Sequence, residues 1–300
     1  MKIKEIITDF FTENASFIFL VPAVLWQVLF LYVPLFLVLY MSFQPVTGAF
    51  RFYLTLDNYK LILSSFPYFY IIGRSVFIAA CTTLLCLICA YPVAYYLALK
   101  VERRWKNVLL FLLTLPFWTN FLIQIYSWVF VLDRNGLVNM LLLKLGIIQE
   151  PLHMINNTGA IFFVMLYYYL PFMIMPLYSI LEKIQHDLLE ASMDLGATHW
   201  QTFRRITLPL SMSGIKTGVF LVFVPAFGEF VIPSIIGGYH HLFVGSLISH
   251  YFLVTRDSQL GAAFTIVSGF VLLICALLFN WLCTVPLQKM QKKEQKELTS

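Results

Sequence analysis

The chain carries unusually little charge. Only 12% of its 300 residues are Asp, Glu, Lys or Arg, and 60% are hydrophobic, whereas a soluble domain has about 25% charged residues. This composition excludes an ordinary soluble domain and predicts an integral membrane protein. The apolar runs are too long and unbroken for barrel strands, which alternate over ~10 residues. Because backbone groups in lipid must bond internally, we predict an all-α, polytopic protein.

Sequence patterns of enzymes are missing. The chain has no G-x-x-x-x-G-K-[ST] phosphate loop, no H-E-x-x-H, no G-x-S-x-G and no paired catalytic carboxylates. Any ATP hydrolysis would therefore need a separate chain, and an intramembrane enzyme is disfavoured.

Cysteine and histidine are also too sparse for an obvious metal site. Cys86 and Cys89 form a C-x-x-C without a second pair or a nearby histidine, so small packing residues are favoured over a metal or redox site. The adjacent His240 and His241 suit metal ligation poorly. The five cysteines all fall in predicted spans: Cys81, Cys86, Cys89, Cys275 and Cys283.

Long apolar runs predict six transmembrane helices, since a span needs ~20 apolar residues. An amphipathic tail (residues 1–16) precedes the first span, which shows no cleavage site and is interpreted as a retained anchor. Residues 1–71 then hold this tail, the first span and an external segment, residues 72–286 form the core, and residues 287–300 form a polar tail. The predicted spans are about 17–43, 72–99, 107–131, 160–181, 216–238 and 264–286.

Basic residues predict that both termini are cytoplasmic. With this orientation, 14 of the 20 Lys and Arg residues lie inside, as the positive-inside rule requires. The net charge of +5 is thereby explained by topology, and no nucleic-acid partner is expected. The six basic residues left outside are Arg51, Lys60, Arg74, Arg134, Lys144 and Arg256.

The largest predicted cytoplasmic loop, residues 182–215, has an ordered polar pattern. It contains EASMDLGATHWQTFRRITLP (190–209), which predicts a helix over Leu188–Leu195, a turn at Gly196 and a second helix capped by Thr198. Leu208 and Pro209 are expected to break this second helix before the fifth span. The pattern fits either an interfacial amphipathic element or a rigid docking element for a soluble partner.

This loop resembles the EAA-x3-G-x9-I-x-LP pattern of permease subunits of bacterial ABC importers. Ser192 replaces the third-position alanine of the pattern, and Asp194 lies within it. The resemblance implies a type-1 ABC importer permease fold in which this loop is a coupling helix seated on an ATP-binding subunit. The residues that match the pattern are Glu190, Ala191, Gly196, Ile206, Leu208 and Pro209.

Other segments resemble the permeases of spermidine/putrescine importers, over roughly residues 50–285. They are LTLDNYKLIL, AYPVAYYLAL, LPFWTNFLIQIYSW, YLPFMIMPLYSILEKI and GEFVIPSIIGG. The resemblance implies a bacterial inner-membrane protein, a second permease chain, two ATP-binding subunits and an extracytoplasmic polyamine-binding protein. It implies no cofactor on this chain, with ATP and Mg on the partner ATPase.

Polar and aromatic residues within spans are candidates for a substrate pathway. Glu229 is the only acid well inside a predicted span, in a stretch whose prolines and glycines predict an interrupted helix. It either lines the path of a cation or is a structural acid.

In the third span, Asn120, Gln124 and Trp128 share one predicted helix face, which lines the pathway or forms a helix–helix interface. Trp118 and Trp128 could contact an ammonium group through their rings. Of the three consecutive tyrosines at 167–169, one, taken as Tyr169, is expected to face the pathway, while the other two pack or lie at the membrane interface.

Two other functions stay open. The same machine could carry another solute, such as an amino acid, an anion or a metal complex. An ion-coupled secondary transporter is the second alternative, although it would have no use for the loop at 190–209.

Overall fold

The computed structural model describes residues 15–45, 54–238 and 242–298 of the chain. Predictions that concern residues 1–14, Arg51, His240 and His241 lie outside this part. Every regular element in the described ranges is helical. The α-helices are α1 (Ala15–Gln27), α2 (Val33–Ser42), α3 (Asp57–Ser64), α4 (Phe66–Leu99), α5 (Arg103–Thr114), α6 (Phe121–Leu132), α7 (Leu137–Lys144), α8 (Thr158–Leu181), α9 (His186–Asp194), α10 (His199–Thr202), α11 (Leu208–Gly228), α12 (Val231–Ile236), α13 (Val244–Ser249) and α14 (Ser258–Leu298).

Five continuous helical segments are long and apolar enough to cross a membrane, and a sixth span results if one bent pair of helices is counted. The five are Leu20–Ser42, Phe66–Leu99, Thr158–Leu181, His199–Gly228 and Ser258–Trp281. This confirms the predicted all-α, polytopic class. The cytoplasmic placement of both termini stays a prediction.

The third predicted span, about 107–131, is not one helix. It is bent by 91° between Arg103–Trp118 and Phe121–Lys144. A 3-10 turn at Leu115–Trp118 contains Pro116, and Asn120 then caps α6 by accepting a hydrogen bond from the Leu122 amide (2.8 Å). Pro116 and the Asn120 cap therefore end one helix and start the next.

Two π-helical turns occur directly before prolines in apolar helices. Val28–Tyr32 precedes Pro34 in the helix that continues as α2, and Phe203–Thr207 precedes Pro209 at the start of α11. Proline removes an amide donor and crowds the carbonyl four residues earlier. The wider π turn accommodates this, so the chain stays helical through both prolines.

The described residues group into two compact units. The smaller one contains residues 15–65, apart from the gap at 46–53, and residues 250–267. Within it, the buried Asn58 side chain donates to the carbonyls of Ser42 (3.0 Å) and Gln44 (2.8 Å). Tyr59 and Ser42 share a further hydrogen bond of 2.6 Å. These bonds fasten α3 to the end of α2.

In the larger unit, α4, α8 and α11 pack against one another. Gly214 and Gly218 of α11 lie against α8, where an added Cβ would stand 2.9 Å from the Pro176 carbonyl and 2.6 Å from Met173 Sδ, respectively. Small residues four apart let two membrane helices approach closely. This packing fixes α11 antiparallel to α8 and places the start of α12 beside the middle of α8.

Side-chain bonds fasten the loops at each end of this unit. The Lys106 ammonium donates to the Ala98 carbonyl (2.6 Å) and pairs with Glu182 (3.5 Å), so the 100–106 loop meets the end of α8. The fully buried Asn139 binds Leu152 through both its amide nitrogen and its oxygen (2.9 Å each).

Candidate functional site

The segment that matches the importer pattern is a helix–turn–helix. Helix α9 ends at Asp194, and Gly196 adopts φ +85°, a left-handed conformation that favours glycine. Thr198 and Gln201 form a capping box at the start of α10, in which each side chain binds the other residue's amide. The predicted helices, turn and cap are confirmed.

Ser192 connects the two helices of this segment. Its hydroxyl lies 2.8 Å from the hydroxyl of the buried Thr202 in α10 and donates to the Leu189 carbonyl (2.8 Å). The residue that departs from the alanine of the importer pattern therefore makes a hydrogen bond that alanine cannot make.

The break expected at Leu208 and Pro209 is wrong. The helix is continuous from His199 to Gly228, because the π turn Phe203–Thr207 accommodates Pro209. Phe203 in this turn packs edge-on against Tyr91 (5.6 Å) of α4. A force on α10 would thus reach the membrane-embedded helix α11 without a flexible joint.

The exposed side of this segment combines charge with apolar groups. Glu190, Ala191 and Asp194 are exposed, while Ile206, Leu208 and Pro209 are half-buried toward the span. Leu195 is 89% exposed and Trp200 is 67% exposed, with Trp200 stacked on Phe203. The tip of this polar segment thus presents two large apolar side chains that nothing within the described residues covers.

Glu229 lies at an interruption of the fifth span, as predicted. Helix α11 ends at Gly228, Glu229 is extended (ψ 128°), and α12 begins at Val231. Tyr169 donates to Glu229 Oε2 (2.9 Å), while the amides of Val231 and Ile232 donate to Oε1 (2.9 and 3.3 Å). None of the ion pairs among the described residues involves Glu229.

The depth of Glu229 follows from its contact with Tyr169. Tyr169 stands 11 residues after the start of α8 at Thr158, roughly 16 Å along a helix that rises 1.5 Å per residue. A bilayer core is about 30 Å thick. The carboxylate is therefore near mid-depth when α8 spans the bilayer.

Glu229 and Tyr169 face a cavity of about 670 Å³ between α6, α8, α11 and α12, which we call the Glu229 chamber. Tyr168 stands 4.7 Å from Phe121, ring centroid to ring centroid. The other aromatic residues of the chamber were not predicted from the sequence. The chamber is lined by Phe121, Tyr168, Tyr169, Phe172, Phe220, Leu221, Val224, Pro225, Gly228, Glu229, Phe230 and Val231.

The other candidates in the third span lie outside this lining. Asn120 caps α6, and Gln124 donates to the Pro116 carbonyl and to Thr119 Oγ1 (2.7 Å). Both side-chain amides therefore stabilise the bend between α5 and α6. Of the helix face expected for Asn120, Gln124 and Trp128, the part formed by Gln124 and Trp128 is present, since they lie four residues apart within α6. Asn120 does not belong to it, because it precedes α6 as its cap.

The two tryptophans are also separate from the chamber. Trp118 is 81% exposed and contacts Phe111 edge-on (6.1 Å). Trp128 packs against Phe163 and Tyr167 and lines a different cavity of about 530 Å³. Of the six predicted pathway residues, the structure brings together Glu229 and Tyr169.

Comparison with known proteins defines the class. Residues 90–292 match the family described as "Binding-protein-dependent transport system inner membrane component". This match covers more than half of the chain, so the chain belongs to that family and is an inner-membrane transporter subunit. The predicted class, transport role and inner-membrane location are confirmed.

Curated relatives narrow the comparison further. The spermidine/putrescine transport system permease protein PotB of Escherichia coli (strain K12) is 42% identical over 261 residues, covering 85% of this chain and 94% of PotB. PotB of Salmonella typhimurium (strain LT2) is 42% identical over 269 residues, covering 88% and 93%. PotB of Haemophilus influenzae (strain KW20 / Rd) is 38% identical over 256 residues, covering 85% and 88%.

Solved structures confirm the fold of an ABC importer permease. A bacterial ABC transporter involved in import of the acidic polysaccharide alginate has a chain with a TM-score of 0.74 at 17% identity, covering 93% of this chain and 98% of that chain. A chain of the alginate transporter in complex with an alginate pentasaccharide-bound periplasmic protein has a TM-score of 0.70 at 18% identity, covering 90% of this chain and 94% of that chain.

Proposed function

We propose that this chain is a permease subunit of an ATP-driven importer for polyamines such as spermidine and putrescine. The observation that carries the choice of substrate is the Glu229 chamber, in which one carboxylate faces a wall of aromatic rings near mid-depth. Such a site suits a cation with an apolar chain. The names of the relatives at 42% identity support the same choice.

Charge in the chamber disfavours an anionic substrate. Glu229 is the only charged residue in its lining, and no Lys or Arg side chain of the described residues lines it. An alginate-type polyanion would meet a carboxylate with no compensating base. The chain therefore shares the fold of the alginate transporter, and an acidic polysaccharide is not its proposed substrate.

The segment at 186–207 is proposed as the joint to a partner ATPase. Its support is the rigid construction: a glycine turn, a capping box, the Ser192–Thr202 bond and an unbroken helix into the membrane. The exposed Leu195 and Trp200 would enter a groove on that partner. The coupling role extends to Glu190, Ala191, Ser192, Asp194, Gly196, Ile206, Leu208 and Pro209.

The proposed assembly contains a second homologous permease chain, two ATP-binding subunits that hold ATP and Mg, and an extracytoplasmic polyamine-binding protein. Closure of the ATPase dimer would push α9 and α10, and the continuous helix from α10 to α11 would carry this motion to the break at Glu229. Two packed states, inward-open and outward-open, would thus alternate. This chain itself binds no cofactor in the proposal.

Uptake measurements in cells test this proposal. Labelled spermidine uptake is compared in cells with and without this chain, with the companion subunits present in both and other polyamine carriers deleted. Loss of uptake on deletion, with competition by unlabelled putrescine, is expected. Unchanged uptake would overturn the substrate assignment and direct the search to amino acids and other solutes.

A further inference from the structure

Glu229 has most of its hydrogen-bonding capacity occupied within the chain. A carboxylate offers about four acceptor positions. Oε1 receives two amide hydrogens, from Val231 and Ile232, and Oε2 receives the hydroxyl of Tyr169. One position, on Oε2, is left for another donor.

These three bonds fix where the remaining position lies. The two amides belong to the first turn of α12 and hold Oε1 toward that helix. Tyr169 is 2% exposed, and its hydrogen bond orients Oε2 at the edge of the chamber, which both residues line. The free acceptor position of Oε2 therefore belongs to the same cavity as the aromatic wall.

Aromatic rings line the same chamber as the carboxylate, and its lining has no second charge. Phe172 lies 6.2 Å from Tyr168 and 6.3 Å from Tyr169 between ring centroids, and Phe121 contacts Tyr168 at 4.7 Å. Aromatic faces attract ammonium groups and the adjoining methylenes without satisfying a hydrogen-bond donor. The chamber thus pairs one carboxylate with a mainly apolar surface.

We propose that the chamber binds a single N–H-bearing ammonium end of a linear alkylamine, with Glu229 Oε2 accepting its hydrogen. Tyr168, Phe121 and Phe172 contact the methylene chain and set the specificity. This inference rests on the proposed function and adds a chemical requirement to it. A primary ammonium satisfies the free acceptor, whereas a fully methylated ammonium has no hydrogen to donate.

Glu229→Gln is the informative variant, because the glutamine carbonyl can still accept from the two α12 amides. It removes the charge while keeping the helix cap, so the complex should assemble. Phe172→Leu removes one ring of the wall. Phe130→Leu is the matched control, since Phe130 is 75% exposed and lies outside the chamber lining.

Photolabelling of the assembled complex tests the site directly. The probe is a linear primary diamine that carries a diazirine on its methylene chain, and adducts are mapped by peptide mass spectrometry. We expect adducts in the segments 168–172 and 220–231. Unlabelled spermidine should compete, and the fully methylated analogue of putrescine should not.

The variants should change labelling and uptake together. Glu229→Gln should lose the adducts and lower spermidine uptake roughly tenfold or more, since a hydrogen bond to a charged group is stronger than a neutral one. Phe172→Leu should lower labelling several-fold, and Phe130→Leu should match the wild type. Co-purification of the companion subunits reports assembly in every case.

The outcomes separate this inference from the proposed function. Normal spermidine uptake by the wild type with adducts elsewhere, or equal competition by the methylated analogue, would overturn the chamber assignment alone. No spermidine uptake by an assembled wild-type complex would overturn both.

Discussion

Substitution of Gly196 tests the proposed joint without disturbing the membrane helices. The residue has φ +85°, and an added Cβ at this position would have no heavy atom within 4 Å. A larger side chain would therefore be penalised only through the backbone. Gly196→Val should strain the turn between α9 and α10, whereas Gly196→Asn should be tolerated because asparagine adopts this conformation more readily.

The size of the effect follows from the turn itself. A left-handed residue with a side chain costs roughly 1–2 kcal/mol, and 1.4 kcal/mol corresponds to a factor of ten. The turn is supported by bonds from the Gly196 amide to Met193 (2.8 Å) and from the Ala197 amide to Ser192 (3.1 Å). Each bond contributes about 1 kcal/mol. The strain energy of a side chain at position 196 is therefore comparable to the stabilisation that one or two of these bonds give the turn.

The assay is labelled spermidine uptake, with co-purification of the ATP-binding subunit as a second readout. Gly196→Val should reduce both, with uptake falling several-fold to roughly 30-fold, while Gly196→Asn stays near the wild type. Equal uptake by both variants and the wild type, at equal amounts of the protein in the membrane, would refute the proposal that this segment is the joint to a partner ATPase. An ion-coupled carrier would give that result.

Three further substitutions test the packing and the loops. Gly218→Leu should lower the free energy of unfolding of the detergent-solubilised chain by about 1–3 kcal/mol, because the larger side chain overpacks the contact between α8 and α11. Gly73→Leu should leave it unchanged, because the site has open space for a side chain. Asn139→Ala should increase hydrogen exchange and proteolysis of the loop 133–157 by removing buried bonds, and the exposed Asn135→Ala should leave both unchanged. Ser192→Ala should cost the assembled complex at most about 3 kcal/mol of stability, because it removes two hydrogen bonds, to the Leu189 carbonyl and to the Thr202 hydroxyl. A larger loss measured by thermal unfolding would contradict this account.

The sequence was most informative where a residue type that is rare in its surroundings occurs, such as an acid within an apolar span. Glu229 was found because it is the only acid well inside a predicted span, and its neighbouring glycines and prolines predicted the interruption. The turn at Gly196 and the cap at Thr198 were equally predictable, since each follows from local backbone requirements. These features depend on few residues at short range.

The aromatic wall could not be found in the same way. The chain has 29 phenylalanines and 16 tyrosines, and position along a span does not tell a ring in a cavity from a ring in lipid. Phe121 and Phe172 are distinguished by the packing of the four helices around the chamber, which is not a local property. Tyr168 differs from Tyr167 only by the helix face that packing places toward the chamber.

The two corrected elements have local causes. The bend in the third span had signals in Pro116 and in Asn120, a good helix cap, but a continuous apolar pattern concealed them. The break expected at Pro209 failed because a π turn precedes the proline. A proline alone does not tell whether the chain interrupts the helix or widens it.

The central claim, an ATP-driven polyamine permease, is tested most directly in proteoliposomes that contain this chain and its companion subunits. Labelled spermidine is added outside with the binding protein, and ATP is either enclosed or omitted. The account predicts accumulation only with enclosed ATP, and loss of accumulation with Glu229→Gln in an assembled complex. Accumulation without ATP, driven by an ion gradient, would contradict it.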